Sequence, residues 1–328
     1  MAFKIGSTTI VDDDGKLYYV ESSWPGDTYY IIGIAAYKYR TIITKTFTAG
    51  GYKDGSPWRN VGKTIHSTDQ TSHLGQLLGT AGAYTSGVNN LNIYFHWGCS
   101  SSHPGDTTLT QAINMRTDAA YTHQSAFNTT VARNDCGTVF NEHYFAWIFG
   151  GGNSAVDRFN LTTETMNSST LSGGRDGDGM QEGLSGFSSQ THGYVWDDGG
   201  QKIIFATEAI SSSTNWGNGS QQKGINSKNN FGYCGNEGSY NGGYNLRRWN
   251  QVTDSNIGTV AKPHTNCGEE NFGMGQDHQY MIGCYDGSGQ SNNSWRYNYT
   301  TDSGTANPTG VAPAWQSGMS SGHCGWSD

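Results

Sequence analysis

Charged side chains are scarce. Asp, Glu, Lys and Arg together make up 14% of the chain, no run of Lys or Arg occurs, and the formal net charge is −8. A nucleic-acid-binding surface needs clustered basic residues, so that class is not expected. Apolar residues are also few, at 34%. No stretch approaches the roughly eighteen consecutive apolar residues of a membrane-spanning helix, so no membrane insertion is expected. The first residues, Met1-Ala-Phe-Lys-Ile-Gly-Ser-Thr8, lack the apolar core of a signal peptide, which leaves the reducing cytoplasm as the expected site of synthesis.

Cysteine is thinly spread. The six are Cys99, Cys136, Cys234, Cys267, Cys284 and Cys324, and no two lie closer than 17 residues. Structural zinc sites draw on pairs about two to four residues apart, so Cys alone does not suggest one. Buried small hydrophobes are the simpler reading. Helix signals are nearly missing too, and Leu109–Ala120 is the best candidate. No nucleophile elbow, metalloprotease helix or phosphate loop is present, which argues against an enzyme.

What the chain has in quantity is glycine, 47 residues, and aromatics, 12%. They are arranged periodically. A Thr-acid dipeptide recurs six times, as Thr68-Asp69, Thr117-Asp118, Thr163-Glu164, Thr207-Glu208, Thr253-Asp254 and Thr301-Asp302, with steps of 49, 46, 44, 46 and 48 residues. Four residues before the last five Thr stands an apolar or aromatic residue: Ile113, Phe159, Ile203, Trp249 and Tyr297. Asn follows it in four of those five, as Asn114, Asn160, Asn250 and Asn298. Upstream of the dipeptides lie short Gly-aromatic runs such as Ile93–Gly98, Tyr144–Gly150 and Tyr280–Tyr285, bounded by turn residues.

A period in the forties built from short strands is the signature of a β-propeller, each repeat a blade. Thr suits a strand end, and the acid after it can accept backbone N–H bonds in the following turn. The two ends complete the reading. Leu17-Tyr-Tyr-Val-Glu21 lies one period upstream of Asp69, and Gly322-His-Cys-Gly-Trp326 resembles Gly193-Tyr-Val-Trp196. The expectation is therefore an all-β, single-domain propeller over 1–328, of seven blades. Residues 1–24 and 311–328 would share one blade and close the ring.

The segment Phe47–Lys63, with its Gly50-Gly51 and then Trp58, resembles kelch-type propellers, whose blades place a Gly pair after one strand and aromatics on the next; Tyr144–Thr163 has the same order. The opening Lys4–Gly15 and the Gly50–Val61 segment look like parts of fibre, appendage and propeller-like virion proteins of tailed phages of marine cyanobacteria. That resemblance implies a non-enzymatic structural protein on the virion exterior, docked to other virion proteins. A polysaccharide-active enzyme and an intracellular kelch-like scaffold are the alternatives.

The candidate contact residues are Tyr52, Trp58, Arg59 and Trp216. They set aromatic faces beside polar donors, as sugar sites and protein-docking sites do. Calcium at Asp176, Asp178 and Glu182 is an alternative to a plain Gly-rich turn, because the ion takes several oxygen ligands from one loop. The spacing does not complete an EF-hand, so no cofactor is expected.

Overall fold

Each Thr-acid dipeptide closes a turn between two antiparallel strands, and the turn is built the same way six times. The acid adopts a left-handed backbone at every copy, with φ of 54° at Asp69, 56° at Asp118 and Glu164, 50° at Glu208, and 52° at Asp254 and Asp302. Where Asn precedes, its side-chain oxygen accepts the two N–H groups that the turn leaves open. Asn160 Oδ1 takes those of Thr162 and Thr163, both at 2.9 Å. Asn114, Asn250 and Asn298 do the same. Ile65 and Ile204 occupy that position in the other two turns, and there the backbone carbonyl accepts from Thr68 and Thr207. Asn therefore supplies the local hydrogen bonds expected of the acid, and the acid side chain is directed elsewhere.

In this computed structural model the described residues are 3–5, 8–11, 16–17, 28–32, 35–39, 45–53, 56–66, 68–82, 86–89, 93–97, 107–133, 136–141, 144–150, 155–169, 171, 185–189, 191–196, 201–212, 224–226, 231–235, 245–261, 272–274, 278–285, 290–298, 300–306 and 320–323. They are all-β, arranged as small antiparallel sheets, and the one helical element among them is a 3₁₀ turn at Ser125–Phe127. The segment 109–120, the best of the sparse helix candidates, forms a hairpin, Thr110–Asn114 with Ala119–Tyr121.

The chain divides into two units, Met1–Ile43 and Thr44–Asp328. The first contains one meander of five strands in chain order: Phe3–Ile5, Thr8–Val11, Lys16–Leu17, Thr28–Ile32 and Ala35–Tyr39.

The second unit contains one sheet per Thr-acid repeat. Sheets two to six each run in chain order. The second is Ser86–Asn89, Ile93–Trp97, Thr110–Asn114 and Ala119–Tyr121. The third is Gly137–Asn141, Phe145–Phe149, Asp157–Asn160 and Thr165–Ser168. The fourth is Ser185–Ser188, His192–Trp196, Gln201–Ile204 and Ala209–Ser212. The fifth is Gly224–Asn226, Phe231–Gly235, Asn245–Asn250 and Ser255–Ala261, and the sixth Phe272–Met274, His278–Tyr285, Gln290–Asn298 and Ser303–Ala306. The first sheet draws three consecutive strands from its own repeat, Lys45–Ala49, Val61–Ile65 and Gln70–Gly75. Its fourth, Ser320–His323, comes from the other end of the chain. A short parallel pairing of Gly322 and His323 with Gly87 and Val88 joins the first and second sheets. The first-position strands pack in a closed cycle, 320–323 beside 86–89, then 137–141, 185–188, 224–226, 272–274 and back to 320–323.

This corrects the expected seam. The seventh blade was to combine residues 1–24 with 311–328. The described strands within 1–24 pair with each other and with Thr28–Ile32, and Leu17 lies opposite Tyr29. Ser320 and Ser321 pair with Ala49 and Thr48. The physical reason is strand supply. The first repeat has three strands of its own and lacks only the one at the first position, so the C-terminal strand completes it. The described N-terminal strands bond among themselves.

Aromatic residues fill the sheet centres. The middle of the second-position strand carries Phe47, Phe95, Trp147, Tyr194, Tyr233 or Tyr280, all buried. Between the second and third sheets Phe127 inserts from the 3₁₀ turn, with its ring 5.4 Å from Phe95 and 6.2 Å from Phe159. Close approach between sheets is also built in. A Cβ on Gly193 would stand 2.5 Å from Val139 of the preceding sheet, and one on Gly232 would stand 2.3 Å from the Phe187 ring.

Candidate functional site

The strand register puts a basic residue opposite the central aromatic in five of six sheets. Phe47 faces Lys63, Trp147 faces Arg158, Tyr194 faces Lys202, Tyr233 faces Arg248 and Tyr280 faces Arg296. Each cation reaches the acid of the next repeat. Lys63 pairs with Asp118, Arg158 with Glu208, Lys202 with Asp254, Arg248 with Asp302, and Arg296 returns to Asp69. Where the aromatic is Tyr, its hydroxyl donates to the same carboxylate, from Tyr194 to Asp254 at 2.9 Å, Tyr233 to Asp302 at 2.6 Å and Tyr280 to Asp69 at 2.7 Å. Cross-strand neighbours thus hold the neighbouring repeat's acid from two directions. The second sheet has Ala112 at the cation position, and Glu164 instead accepts from Tyr121 Oη at 3.1 Å.

Burial and then the adjoining carboxylate push the phenols of Tyr194 and Tyr280 well above their usual range. Burial, with Lys202 nearby, lowers His192. His96, fully buried in the second sheet, is pushed by desolvation down to about 3. Its Nδ1 lies 3.3 Å from the Tyr94 hydroxyl. These groups sit in packed sheet interfaces and hold the architecture. Arg133 is of the same kind. It is fully buried, its Nε donates to Asp157 Oδ2 at 3.1 Å, and its other nitrogens donate to the carbonyls of Gly150 and Ala155.

The sequence-selected residues divide. Trp216, Asp176, Asp178 and Glu182 lie outside the described residues, as does the side chain of Tyr52. Among the described residues no three His, Cys, Asp or Glu converge as a metal site would require. Trp58 and Arg59 are described, and the fold brings them together with residues that sequence reading did not select. Their backbone is clamped between two glycine turns. Gly50 N–H donates to Asn60 O at 2.9 Å, Gly51 N–H to Gly82 O at 2.6 Å, Trp58 N–H to Gly51 O at 2.7 Å and Gly82 N–H to Trp58 O at 2.9 Å. Gly50 has φ of 77°, and a Cβ there would stand 2.4 Å from Gly82 O, so only glycine fits.

No protein-family model matches this chain, and no curated protein matches it. The site must therefore be read from its own geometry.

Trp58 is partly exposed, and His73 meets its ring edge-on at 6.2 Å and 63°. Arg59 is exposed, with Nη1 donating to Gly79 O at 3.2 Å and Nη2 to Gln76 Oε1 at 3.4 Å. The segment carrying Gly79 is itself fixed from the second sheet. Buried Gln111 accepts from Thr80 N at 2.9 Å and donates to Thr80 O at 2.8 Å. The arrangement presents a fixed guanidinium, an indole and an imidazole on a rigid loop pair. Arg59 keeps N–H donors beyond the two that Gly79 and Gln76 accept.

Proposed function

We propose that residues 44–328 form a six-bladed β-propeller, with the C-terminal strand closing the first blade, and that the chain is a non-enzymatic structural protein of a tailed-phage virion. It sits on the particle exterior and docks to other virion proteins through its loop faces. The observation that carries the propeller is the Arg296–Asp69 pair, which links the sixth repeat to the first in the same way as neighbouring repeats are linked. A ring held by repeated ion pairs is a rigid platform, which suits a docking role better than an enzyme that must close around substrate. The phage reading is supported by the resemblance of Lys4–Gly15, which falls in the separate N-terminal unit. That unit would anchor the chain, leaving the propeller for display.

Mass spectrometry of purified particles tests this. The chain is expected among the stoichiometric virion proteins, and absence from the particle sinks the structural reading. Release of reducing sugar from cyanobacterial surface polysaccharide would favour the enzyme instead. The exposure of Trp58 and Arg59 favours a second contact, with a host-surface glycan.

A further inference from the structure

We propose that the end of the ring carrying the Thr-acid turns is a self-association face, on which two copies of this chain dock so that the second turn of each meets the fifth turn of the other.

The turns themselves define the face. The acid of each is held by the preceding sheet, through Lys63–Asp118, Tyr121–Glu164, Arg158–Glu208, Lys202–Asp254, Arg248–Asp302 and Arg296–Asp69. Turn-end linkages repeated round the cycle place all six turns at one end of it. The acids point inward to these partners, and the Thr of every repeat is exposed. Three of the four exposed large hydrophobics among the described residues lie in these turns. Ile65 O accepts from Thr68 N in the first, Tyr144 O accepts from Leu161 N in the third, and Val252 N donates to Asn250 Oδ1 in the fifth.

Two turns stand apart. The residue two before the acid is Ser, Thr or Ala in four repeats, Arg116 in the second and Val252 in the fifth. Val252 is 74% exposed. Arg116 is exposed and meets no carboxylate among the described residues. In the turn of Val252, the Asp254 side chain is 41% exposed, against 16–33% for the four other acids that meet a cation, so its carboxylate is the most open of the five. That carboxylate has acceptor sites beyond those used by Tyr194 and Lys202.

The placement of these residues selects the partner. In the cycle of first-position strands, the second and fifth sheets stand three steps apart in either direction. A two-fold axis lying in the plane of the face exchanges them, so the second turn of one copy falls on the fifth turn of the other, and the contact forms twice. Arg116 then lays its apolar stem on the partner's Val252 and its guanidinium on the partner's Asp254. Charge and apolar surface match only between these two different turns; second turn against second turn would set Arg116 against its own copy. The inference rests on the six-bladed reading of the ring.

The test is sedimentation equilibrium of the full chain over a concentration series, where a monomer–dimer equilibrium is expected. Arg116→Glu faces the partner's Asp254 with a like charge, and Val252→Lys does the same to the partner's Arg116. Each should weaken the dimer at least tenfold. The double variant sets the two introduced charges against each other and should recover most of that loss, which a merely structural role would not do. Both side chains are exposed and the turn bonds to Asn114 and Asn250 use backbone N–H, so thermal melting of the monomers should not change. Should one single variant misfold, the other carries the test. A monomer throughout the series, a trimer or larger assembly, a dimer untouched by the single variants, or a double variant no tighter than the singles overturns the proposal. A monomer in which Arg296 and Asp69 remain energetically coupled would leave the ring standing without the dimer, so the two failures are distinguishable.

Discussion

Arg296, in the last repeat, pairs with Asp69 in the first, across 227 residues of sequence. Tyr280, the cross-strand neighbour of Arg296, donates to the other oxygen of the same carboxylate, and His66 stacks on the Tyr280 ring at 5.0 Å. The contact that closes the cycle is thus built from the same parts as the contacts along it. Arg296→Met should destabilise the chain by about 1–2 kcal/mol, since the pair is partly buried and hydrogen-bonded from two sides. In a double-mutant cycle with Asp69→Asn, urea unfolding should give a coupling of about 1 kcal/mol. Coupling near zero would mean that the ring does not depend on this seam.

The left-handed acids separate two roles that one residue performs. A non-glycine residue in that conformation costs about 1 kcal/mol, which glycine avoids. Asp118 accepts from both Lys45 and Lys63. Asp118→Asn tolerates the left-handed backbone and loses the charge, so it should cost about 1 kcal/mol. No loss in thermal unfolding would remove the case for the ion pairs as the reason this position is acidic.

That distinction also marks how far the sequence could be read. Six strand sets were legible because Thr-acid spacing and Gly-aromatic runs are periodic and local. The partner of the C-terminal strand was not, because pairing of 320–321 with 48–49 involves residues far apart in the chain. Arg158, Arg248 and Arg296, five before the repeat Thr, are legible as packing residues, and Lys63 and Lys202 share that offset. Their partners are not legible, since the carboxylate each meets lies 50 to 55 residues further along the chain for Lys63, Arg158 and Lys202, and 227 residues away for Arg296. Trp58 and Arg59 stood out by composition. Their support from Gln76, Gly79 and Gly82 arises from tertiary contact and leaves no motif.

His96 gives the fold a defined acid sensitivity. Its pKa falls from 6.5 in the unfolded chain to about 3 in the fold, because burial disfavours the charged ring. A lowered pKa means that the unfolded chain binds the proton first. The contribution is fully present above about pH 6.5 and is lost progressively as the pH falls toward 3, at up to about 1.4 kcal/mol per pH unit. His96→Gln should flatten the stability profile between pH 6 and 4 relative to wild type, as measured by urea midpoints. Other titrating groups cancel in that difference, and parallel profiles would refute the assignment. The phenols act with the opposite sign. Raised values at Tyr194 and Tyr280 stabilise the fold below pH 10 and are lost in alkali, so Tyr280→Phe should reduce the alkaline slope.

Gly232 tests whether the sheets pack as close as the architecture requires. It lies in the second-position strand of the fifth sheet, and the Phe187 ring of the fourth sheet fills the space a side chain would take. Both residues are buried, and Phe187 itself stacks on Tyr194 at 4.9 Å, so the ring has little room to retreat. Gly232→Ala should therefore cost about 1–3 kcal/mol through overpacking. Phe187→Leu alone should cost a similar amount through lost burial. Combined, the smaller side chain makes room for the new methyl group, and the double variant should be less destabilised than the sum of the two by at least about 1 kcal/mol. Additive losses would show that Gly232 is held for its backbone freedom alone, and the tight contact between the fourth and fifth sheets would have to be abandoned.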